Sequence, residues 1–288
     1  MKAIEVQSLT KYYKKSKGIE DVSFHVDKGE IFGFIGPNGA GKSTTIRTLL
    51  NFIHPTSGSG KIFDLDIVTD TRAIKKLVGY LPSEVHYYDD MKAMDLLKYS
   101  AKFYEYENEK RIDELANILQ LELNRKIEDL SFGNRKKVGI IQALLHEPKL
   151  LILDEPTGGL DPLIQKLFFE LLQAEREKGT SIFFSSHILS EVQKVCDRVG
   201  IIKEGKLVKV ENIETLMKSS LKNITVHVEG NPEFPLEGVI QKEQMKDEII
   251  LTYNGDLTVL FNYLSSIEVK DILIEEPSLE EVFIHYYE

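Results

Sequence analysis

The chain contains the stretch Glu30-Ile31-Phe32-Gly33-Phe34-Ile35-Gly36-Pro37-Asn38-Gly39-Ala40-Gly41-Lys42-Ser43-Thr44, and this stretch decides the fold. Its second part fits the phosphate-binding pattern G-x-x-x-x-G-K-[ST], in which glycines let backbone N–H groups close around phosphate oxygens. The apolar residues before it predict a buried strand, and residues 44–50 space their apolar side chains as a helix does. The loop is therefore predicted between a strand and a helix, where the positive end of the helix dipole meets nucleotide phosphates.

The residues of this loop are the candidate contacts for a nucleotide. They are Gly36, Pro37, Asn38, Gly39, Ala40, Gly41, Lys42, Ser43 and Thr44. Lys42 would reach the outer phosphates, and the Ser43 hydroxyl would bind Mg²⁺. At average composition, four constrained positions arise by chance in a chain of this length with a probability of about one in a hundred. A glycine-rich turn with an incidental lysine is therefore the weaker interpretation.

Two acidic residues, Asp154 and Glu155, directly follow the apolar strand predicted at residues 150–153. Asp154 would hold Mg²⁺ through water beside Ser43, and Glu155 would polarise the attacking water. An isolated acidic pair after a strand is usually a helix cap or a surface charge. Here the pair follows a phosphate loop in the same chain, and the catalytic interpretation is preferred.

His187 follows a further predicted strand, at residues 181–184, and is preceded by two serines. Its imidazole would lie near the same sheet edge as Asp154, where it could contact the γ-phosphate and arrange the water. The predicted catalytic residues are thus Lys42, Glu155 and His187.

The segment Leu130-Ser131-Phe132-Gly133-Asn134 precedes a predicted helix with a basic start. A hydroxyl, a bare backbone and a helix N-terminus could together grip a γ-phosphate, and this phosphate need not be bound to the same chain. Taken alone, the segment could also be an ordinary serine N-cap followed by a glycine turn.

The charge distribution divides the chain. Residues 221–288 contain four lysines, no arginine and fourteen acidic residues, and they carry the whole net charge of −10. An acidic appendage repels phosphates, and the rest of the chain shows no stripe of basic residues, so we expect no nucleic acid partner. The favoured interpretation of the acid excess is a solvated surface.

The only cysteine, Cys196, excludes an internal disulfide and suits a reducing compartment. No run of eighteen apolar residues occurs, and the first residues lack a signal-peptide core. We expect a cytoplasmic protein that reaches the inner face of the cell membrane only through another chain.

Strands alternate with helices over most of the chain, which predicts an α/β fold with a mixed, largely parallel sheet. We expect a large domain at residues 1–220, with a helical insertion at about 85–146, and a small α+β domain at 221–288. Residues 56–60 read as a turn. Further predicted strands are 3–9, 22–26, 78–82, 224–228, 239–241, 249–253 and 271–274, and further predicted helices are 91–106, 112–121, 162–177, 188–196 and 257–264.

On these motifs the chain resembles the nucleotide-binding subunit of ATP-binding cassette (ABC) transporters over roughly residues 1–220. Residues 130–134 match the signature segment of that family, and Gly159-Leu160-Asp161 resembles its dimer-contacting loop. The resemblance implies ATP as substrate with Mg²⁺, a phosphate-loop NTPase cassette, and an integral membrane permease as partner. It also implies a homodimer, or a heterodimer with a related cassette.

In that family two cassettes close head to tail on two ATP molecules. The resemblance therefore places Ser131, Gly133 and Asn134 of one chain against the nucleotide bound by the other. It also assigns adenine stacking to Tyr13, with Tyr12 as an alternative, since a flat ring meets a flat base at little entropic cost.

Two departures from the family pattern are visible. The family usually has glutamine after the strand predicted at 78–82, where it reaches Mg²⁺ and relays to the membrane partner, but this chain has Ser83 followed by Glu84. Either could be the metal contact. The signature segment has Phe132 and Asn134 where glycine and glutamine are commonest, while Ser131 and Gly133 are kept.

The C-terminal residues 276–283 resemble the terminal segment of cassette subunits from bacterial exporters of drugs, antibiotics and toxic peptides. Aromatic residues lie near the segment where the family docks its membrane partner, although core packing would also explain them. They are Tyr87, Tyr88, Tyr99, Phe103 and Tyr106. An importer ATPase with a regulatory tail, or a soluble cassette acting in translation or DNA maintenance, remains an alternative function.

Overall fold

The computed structural model describes residues 1–14, 16–88, 90–104, 109–217, 222–228, 232–245 and 248–275. The chain divides into two compact units, Met1–Glu211 and Asn212–Glu288. The segments predicted around Tyr106 and at 276–283 lie outside the described residues. Among the described helices, each is either too short or too polar to pass through a bilayer.

The strands are β1 (Lys2–Tyr13), β2 (Ser16–Asp27), β3 (Ile31–Ile35), β4 (Ser57–Ile62), β5 (Leu65–Asp66), β6 (Val78–Leu81), β7 (Leu150–Asp154), β8 (Ser181–Ser186), β9 (Arg198–Lys203), β10 (Lys206–Asn212), β11 (Lys222–Val228), β12 (Val239–Met245), β13 (Glu248–Tyr253) and β14 (Val269–Glu275). The helices are α1 (Lys42–Leu49), α2 (Thr71–Leu77), α3 (Ala93–Lys102), α4 (Glu109–Ile118), α5 (Phe132–Leu144), α6 (Pro162–Glu177), α7 (Leu189–Val195), α8 (Ile213–Met217) and α9 (Leu257–Leu264).

The centre of the first unit is a six-stranded sheet in the order β10-β9-β3-β8-β7-β6. The pairs β3–β8, β3–β9, β7–β8 and β6–β7 are parallel. Every residue of β3, β7 and β8 is buried, as expected for parallel strands covered on both faces. The register pairs Ile35 with Ser186 and Asp154 with Ser185. The three segments with predicted chemistry therefore leave the sheet at one edge.

A second, antiparallel sheet in the order β2-β1-β4-β5 packs on this core. The ring of Phe24 on β2 lies 5.5 Å from that of Phe32 on β3 and 5.7 Å from that of Phe183 on β8, between ring centroids. These contacts bury the aromatic residues of both sheets in one apolar cluster.

The predicted turn at residues 56–60 is wrong, because β4 begins at Ser57 and pairs with β1. Gly58 has a φ of 81°, and a Cβ atom there would lie 2.2 Å from the carbonyl oxygen of Ser8. The glycine thus permits two strands to approach closely. From the local sequence composition alone, a glycine with this role cannot be distinguished from a glycine in a turn.

The helical insertion consists of α3, α4 and α5, with a short 3-10 turn at Ile127–Asp129 before α5. The described helix α3 ends at Lys102, before the predicted end of the helix at 106. A buried ion pair between Arg111 on α4 and Glu175 on α6 joins the insertion to the sheet domain, and Lys178 also donates to Glu175 at 2.8 Å.

The second unit is an antiparallel sheet in the order β12-β13-β11-β14, with α9 on one face. Alternate residues of β11 and β13 are buried, and Leu260 and Leu264 of α9 belong to the same apolar cluster. Asp256 caps α9 by accepting from the Thr258 amide at 2.7 Å.

His146, which follows the end of α5, is half-buried, with both ring nitrogens shielded from solvent. Its ring stacks on Tyr104 with 3.6 Å between ring centroids, and neither ring nitrogen has a hydrogen-bond partner among the described residues. Burial lowers the pKa of His146 to about 4; the nearby Val78 backbone opposes this shift without forming a hydrogen bond of normal geometry. The unfolded chain therefore binds a proton at His146 more readily than the folded chain does.

We predict that His146→Phe reduces the decrease in the free energy of unfolding that occurs as the pH falls. The folded pKa lies below the unfolded value of about 6.5, so stability falls as the pH drops from about 6.5 toward 4. The wild-type chain should lose roughly 2 to 3 kcal/mol more than the variant over this range. Urea unfolding at both pH values measures the difference. His86→Phe, at an exposed position, controls for the loss of a histidine, and equal losses in wild type and His146→Phe would contradict the prediction.

Candidate active site

The phosphate loop at residues 36–44 leaves β3 and enters α1, which begins at Lys42. Gly41 has a φ of 112°, a conformation that favours glycine, and a Cβ atom there would lie 2.8 Å from Cγ2 of Ile19. The exposed residues at the tip are Pro37, Asn38 and Gly39, the buried ones are Gly36 and Ala40, and Ser43 and Thr44 in the first turn of α1 are half-buried.

Lys42 folds back over the loop. Its Nζ donates to the carbonyl oxygens of Gly36 at 2.6 Å and Pro37 at 3.3 Å. The same Nζ lies 3.2 Å from Oε1 of Glu155, a charge contact whose angles fall outside hydrogen-bond geometry. The lysine is buried, so its charge is directed at the loop and at the carboxylate rather than at solvent.

Asp154 is only 1% exposed at the end of β7. Its Oδ1 accepts from Oγ of Ser185 at 2.7 Å, while its Oδ2 is buried without a hydrogen-bond partner among the described residues. A buried carboxylate oxygen left unpaired is costly, and a cation would compensate it. Oxygen donors are the ligands that Mg²⁺ prefers, so Asp154 together with the Ser43 hydroxyl fits that ion.

Glu155 and His187 form a direct contact. Oε2 of Glu155 lies 2.7 Å from Nδ1 of His187, so the ring carries its proton on Nδ1 when the carboxylate is ionised. Glu155 has a φ of 48°, a left-handed conformation that costs a non-glycine residue roughly 1 to 2 kcal/mol. Its amide donates to the Ser185 carbonyl at 3.1 Å, which helps to hold this conformation. Lys42, Glu155 and His187 therefore form one connected group.

A cavity of about 330 Å³ opens beside this group, and its lining includes Asn38, Ser83, Glu155, Gly159 and His187. Of the two candidates after β6, Ser83 lines the cavity. The side chain of Glu84 is largely exposed, with Oε2 3.7 Å from Nε2 of His86. The residues that line the cavity thus include the serine and not the glutamate.

The signature segment lies against the loop that carries Gly159 in the same chain. A Cβ atom on Gly133 would lie 2.4 Å from the Gly159 carbonyl oxygen, and a Cβ atom on Gly159 would lie 2.2 Å from Cδ1 of Phe132. Ser131 caps α5 by accepting from the Asn134 amide at 3.3 Å, and it is exposed. The N-terminus of α5 therefore faces outward.

The next two residues of that loop have structural contacts of their own. Leu160 is buried, and Asp161 caps α6 by accepting from the Ile164 amide at 3.0 Å. These two contacts fix the end of the loop, and Gly159 at its start packs against the signature segment.

Tyr12 and Tyr13, the last two residues of β1, make different contacts. The Tyr12 hydroxyl donates to Oε1 of Glu20 at 2.8 Å. Tyr13 is 43% exposed, and a Cβ atom on Gly18 would touch both its ring, at 2.9 Å, and Cγ2 of Thr44, at 3.1 Å. Tyr13 therefore lies near Thr44, at the end of the phosphate loop.

Sequence reasoning missed Lys136, which is fully buried on α5. Its Nζ donates to the carbonyl oxygens of Pro82 at 3.0 Å and Ser83 at 2.8 Å. Burial lowers the pKa of Lys136 to about 8, against the opposing effect of the Asp154 and Glu155 carboxylates. The signal available in the sequence was its position four residues before Ile140, on the apolar side of the helix.

It also missed a contact that fixes the segment around His187. Ser186 donates through Oγ to Oε2 of Glu191 at 2.8 Å and accepts from the Ile188 amide at 3.0 Å. Ser186 and Glu191 are both buried. Successive side chains of a strand point to opposite faces, so Ser185 supports Asp154 while Ser186 supports the chain after His187.

Comparison with known proteins gives a consistent result. A family described as "ABC transporter" matches residues 19–158. The bacitracin transport ATP-binding protein BcrA of Bacillus licheniformis is 36% identical, with 98% of this chain and 96% of that protein covered. An uncharacterized ABC transporter ATP-binding protein of Bacillus subtilis, YhaQ, is 33% identical, with 98% and 97% covered.

Solved structures agree on the fold. An ATP-binding subunit of an ABC transporter superposes with a TM-score of 0.69 and 30% identity, covering 75% of this chain and 92% of the other. CbiO1 from Clostridium perfringens gives a TM-score of 0.65 at 25% identity, covering 75% and 90%. The predicted α/β cassette fold is thereby confirmed.

We predict that Ser185→Ala raises the Mg²⁺ concentration needed for half-maximal nucleotide hydrolysis by about tenfold, because Asp154 loses the hydrogen bond that orients it. A Mg²⁺ titration of hydrolysis at saturating nucleotide measures this shift. Ser181→Ala is the matched control, since Ser181 is a buried serine on the same strand that accepts from the Gly29 amide at 3.0 Å, away from the site. An unchanged midpoint in Ser185→Ala would remove Ser185 from this role.

Proposed function

The chain belongs to the ABC transporter family as an ATP-binding, ATP-hydrolysing subunit, and from this premise we propose that it drives export by a separate membrane subunit through closure of a cassette dimer on ATP. One observation supports the proposed dimer. Lys42, Asp154, Glu155 and the contacts of His187 converge at one sheet edge, whereas the N-terminus of α5 packs on Gly159 and faces outward. An exposed helix N-terminus is a ready anion site, so it can complete a phosphate site on a second chain.

The dimer would contain two copies of this chain, or this chain and a related cassette. In either case Ser131, Gly133 and Asn134 of one subunit would contact the γ-phosphate of the nucleotide held by the other. Tyr13 would stack on adenine, and the loop at Gly159, Leu160 and Asp161 would lie at the contact between subunits. Residues 1–220 act as the cassette in this proposal, and residues 221–288 act as an acidic accessory domain.

The hydrolytic roles follow from the contacts. ATP phosphates would compete with the Gly36 and Pro37 carbonyls for the Lys42 ammonium. Lys42 would then neutralise phosphate charge instead of contacting the Glu155 carboxylate. Glu155 would polarise the attacking water, with His187 holding the carboxylate through Nδ1. Mg²⁺ held by Asp154 and Ser43, with Ser83 nearby, would supply charge neutralisation at the phosphates.

A groove of about 720 Å³ supports a membrane partner. Its wall includes Tyr80, Tyr87, Tyr88, Tyr99 and Phe103. Tyr88 is 68% and Phe103 67% exposed, and exposed aromatic clusters are typical of protein interfaces. We propose that the permease binds this groove and thereby holds the chain at the cytoplasmic face of the membrane.

The direction of transport rests on the relatives. BcrA proteins from Bacillus licheniformis and Enterococcus faecalis, both named for bacitracin transport, are 36% and 34% identical to this chain. We propose by this similarity that the transporter exports amphipathic peptides or lipophilic antibiotics.

We predict that Glu155→Gln lowers ATP turnover by about a hundredfold or more while ATP binding persists, because the water loses its polarising carboxylate. ATP should then hold the dimer closed, and size-exclusion chromatography with ATP should show a dimer that wild type does not accumulate. Phosphate release measures turnover. Glu170→Gln, an exposed change on α6, is the control, and unchanged turnover in Glu155→Gln would exclude the assigned role.

For direction, we predict that inside-out vesicles with this chain and its membrane subunit accumulate a labelled lipophilic peptide antibiotic when ATP is added outside. The cassettes face the added ATP in this orientation, and export then runs into the vesicle. Vesicles with Glu155→Gln provide the background. Uptake seen only in right-side-out vesicles, and only with an external binding protein, would indicate an importer instead.

A further inference from the structure

The loop after β6, residues 82–88, links the two cavities described above; we call it the β6 loop. Ser83 lines the cavity of about 330 Å³ beside Glu155 and His187. Pro82, Val85, Tyr87 and Tyr88 belong to the wall of the aromatic groove of about 720 Å³. Movement of this loop would therefore change both cavities.

Lys136 on α5 holds this loop at its start. The ammonium is fully buried and donates to two consecutive carbonyl oxygens, those of Pro82 at 3.0 Å and Ser83 at 2.8 Å. A buried charge requires such acceptors, so releasing the loop would leave the ammonium unpaired. The carboxylates of Asp154, Glu155 and Glu84 further favour its positive charge.

A second contact joins the same helix and loop. Gly139 lies almost one turn after Lys136, and a Cβ atom there would lie 2.9 Å from Cγ1 of Val85 and 3.0 Å from the Tyr87 hydroxyl. Helix α5 thus touches the loop both near the nucleotide cavity and in the wall of the groove. The N-terminus of the same helix carries Ser131.

Pro82 belongs to the lining of the groove and Ser83 to the lining of the nucleotide cavity. The two carbonyl acceptors of Lys136 therefore come from one residue of each lining. Lys136 is buried at this point, and it binds the loop through main-chain atoms that do not depend on the side chain at 83.

We propose that Lys136 is a positioning residue that fixes the β6 loop to α5, so that the nucleotide cavity and the aromatic groove change together. The inference rests on the proposed function in that ATP occupies the smaller cavity and the membrane partner binds the groove. It adds the residue through which ATP binding alters the surface offered to the partner.

The chain contains no tryptophan, so single tryptophans can report on two positions in the groove. Tyr88→Trp places the reporter on the β6 loop. Phe52→Trp places it outside that loop, where the Phe52 ring lies 5.5 Å from that of Tyr80. Each reporter is combined with Lys136→Met, which keeps the aliphatic length of the side chain and removes its donors.

The experiment records tryptophan emission on addition of a non-hydrolysable ATP analogue with Mg²⁺. Lys136→Met should lower the amplitude at position 88 at least about threefold and leave the amplitude at position 52 unchanged. Lys137→Met is the matched control, since Lys137 is the adjacent buried lysine and its Nζ is directed to the Gln120 carbonyl at 3.5 Å. It should leave both signals as in wild type. An unchanged amplitude at position 88 in Lys136→Met would overturn the proposal.

A fluorescent ATP analogue measures nucleotide affinity in every variant, and thermal unfolding checks the fold. Lys136→Gln, whose amide can still donate to a carbonyl, should recover part of the signal at position 88. If Lys136→Met does not fold, this variant decides: a reduced amplitude supports the proposal, and a wild-type amplitude rejects it. Absence of nucleotide binding in the wild-type chain would instead contradict the proposed function, so the two failures are distinguishable.

Discussion

The parallel pairing of β3, β7 and β8 is the constraint on which the rest of the structure depends. These strands are buried on both faces, and a shift in register would disrupt the close packing of their side chains on both sides of the sheet. The register that avoids this brings the phosphate loop, the Asp154-Glu155 pair and the segment before His187 to one edge. The catalytic geometry is therefore fixed by the packing of the sheet rather than by the loops themselves.

Residues that cap a helix or start it predicted the helices whose ends depend on nearby residues. The predicted helices 162–177 and 257–264 match α6 and α9, because aspartate caps and a proline at the first helical position act within a few residues. The α/β class also followed from the alternation of strands and helices. Strand β4 was missed because Gly58 serves a close approach between strands, a tertiary requirement that sequence composition does not reveal.

The same distinction applies to the site. Lys42 could be predicted because it belongs to the phosphate-binding pattern, and Asp154, Glu155 and His187 could be predicted because they lie at or directly after the end of a buried strand. The role of Lys136 could not, because it depends on which face of α5 meets a loop 53 residues earlier in the chain. A lysine within a basic run reads as solvent-exposed, and only the packed structure shows that its partners are main-chain carbonyls. Which of Ser83 and Glu84 lines the cavity likewise depends on how the loop packs, which the sequence does not show.

The contact between Phe132 and Gly159 has an evolutionary consequence. The aromatic ring fills the space that a Cβ atom at 159 would need, and Gly159 also has a φ of 80°. A larger side chain at 159 would therefore meet two obstacles, the ring of Phe132 and the left-handed backbone, and removing the ring would lift only the first. A chain that exchanges the aromatic residue at 132 for a smaller one should still keep glycine at 159.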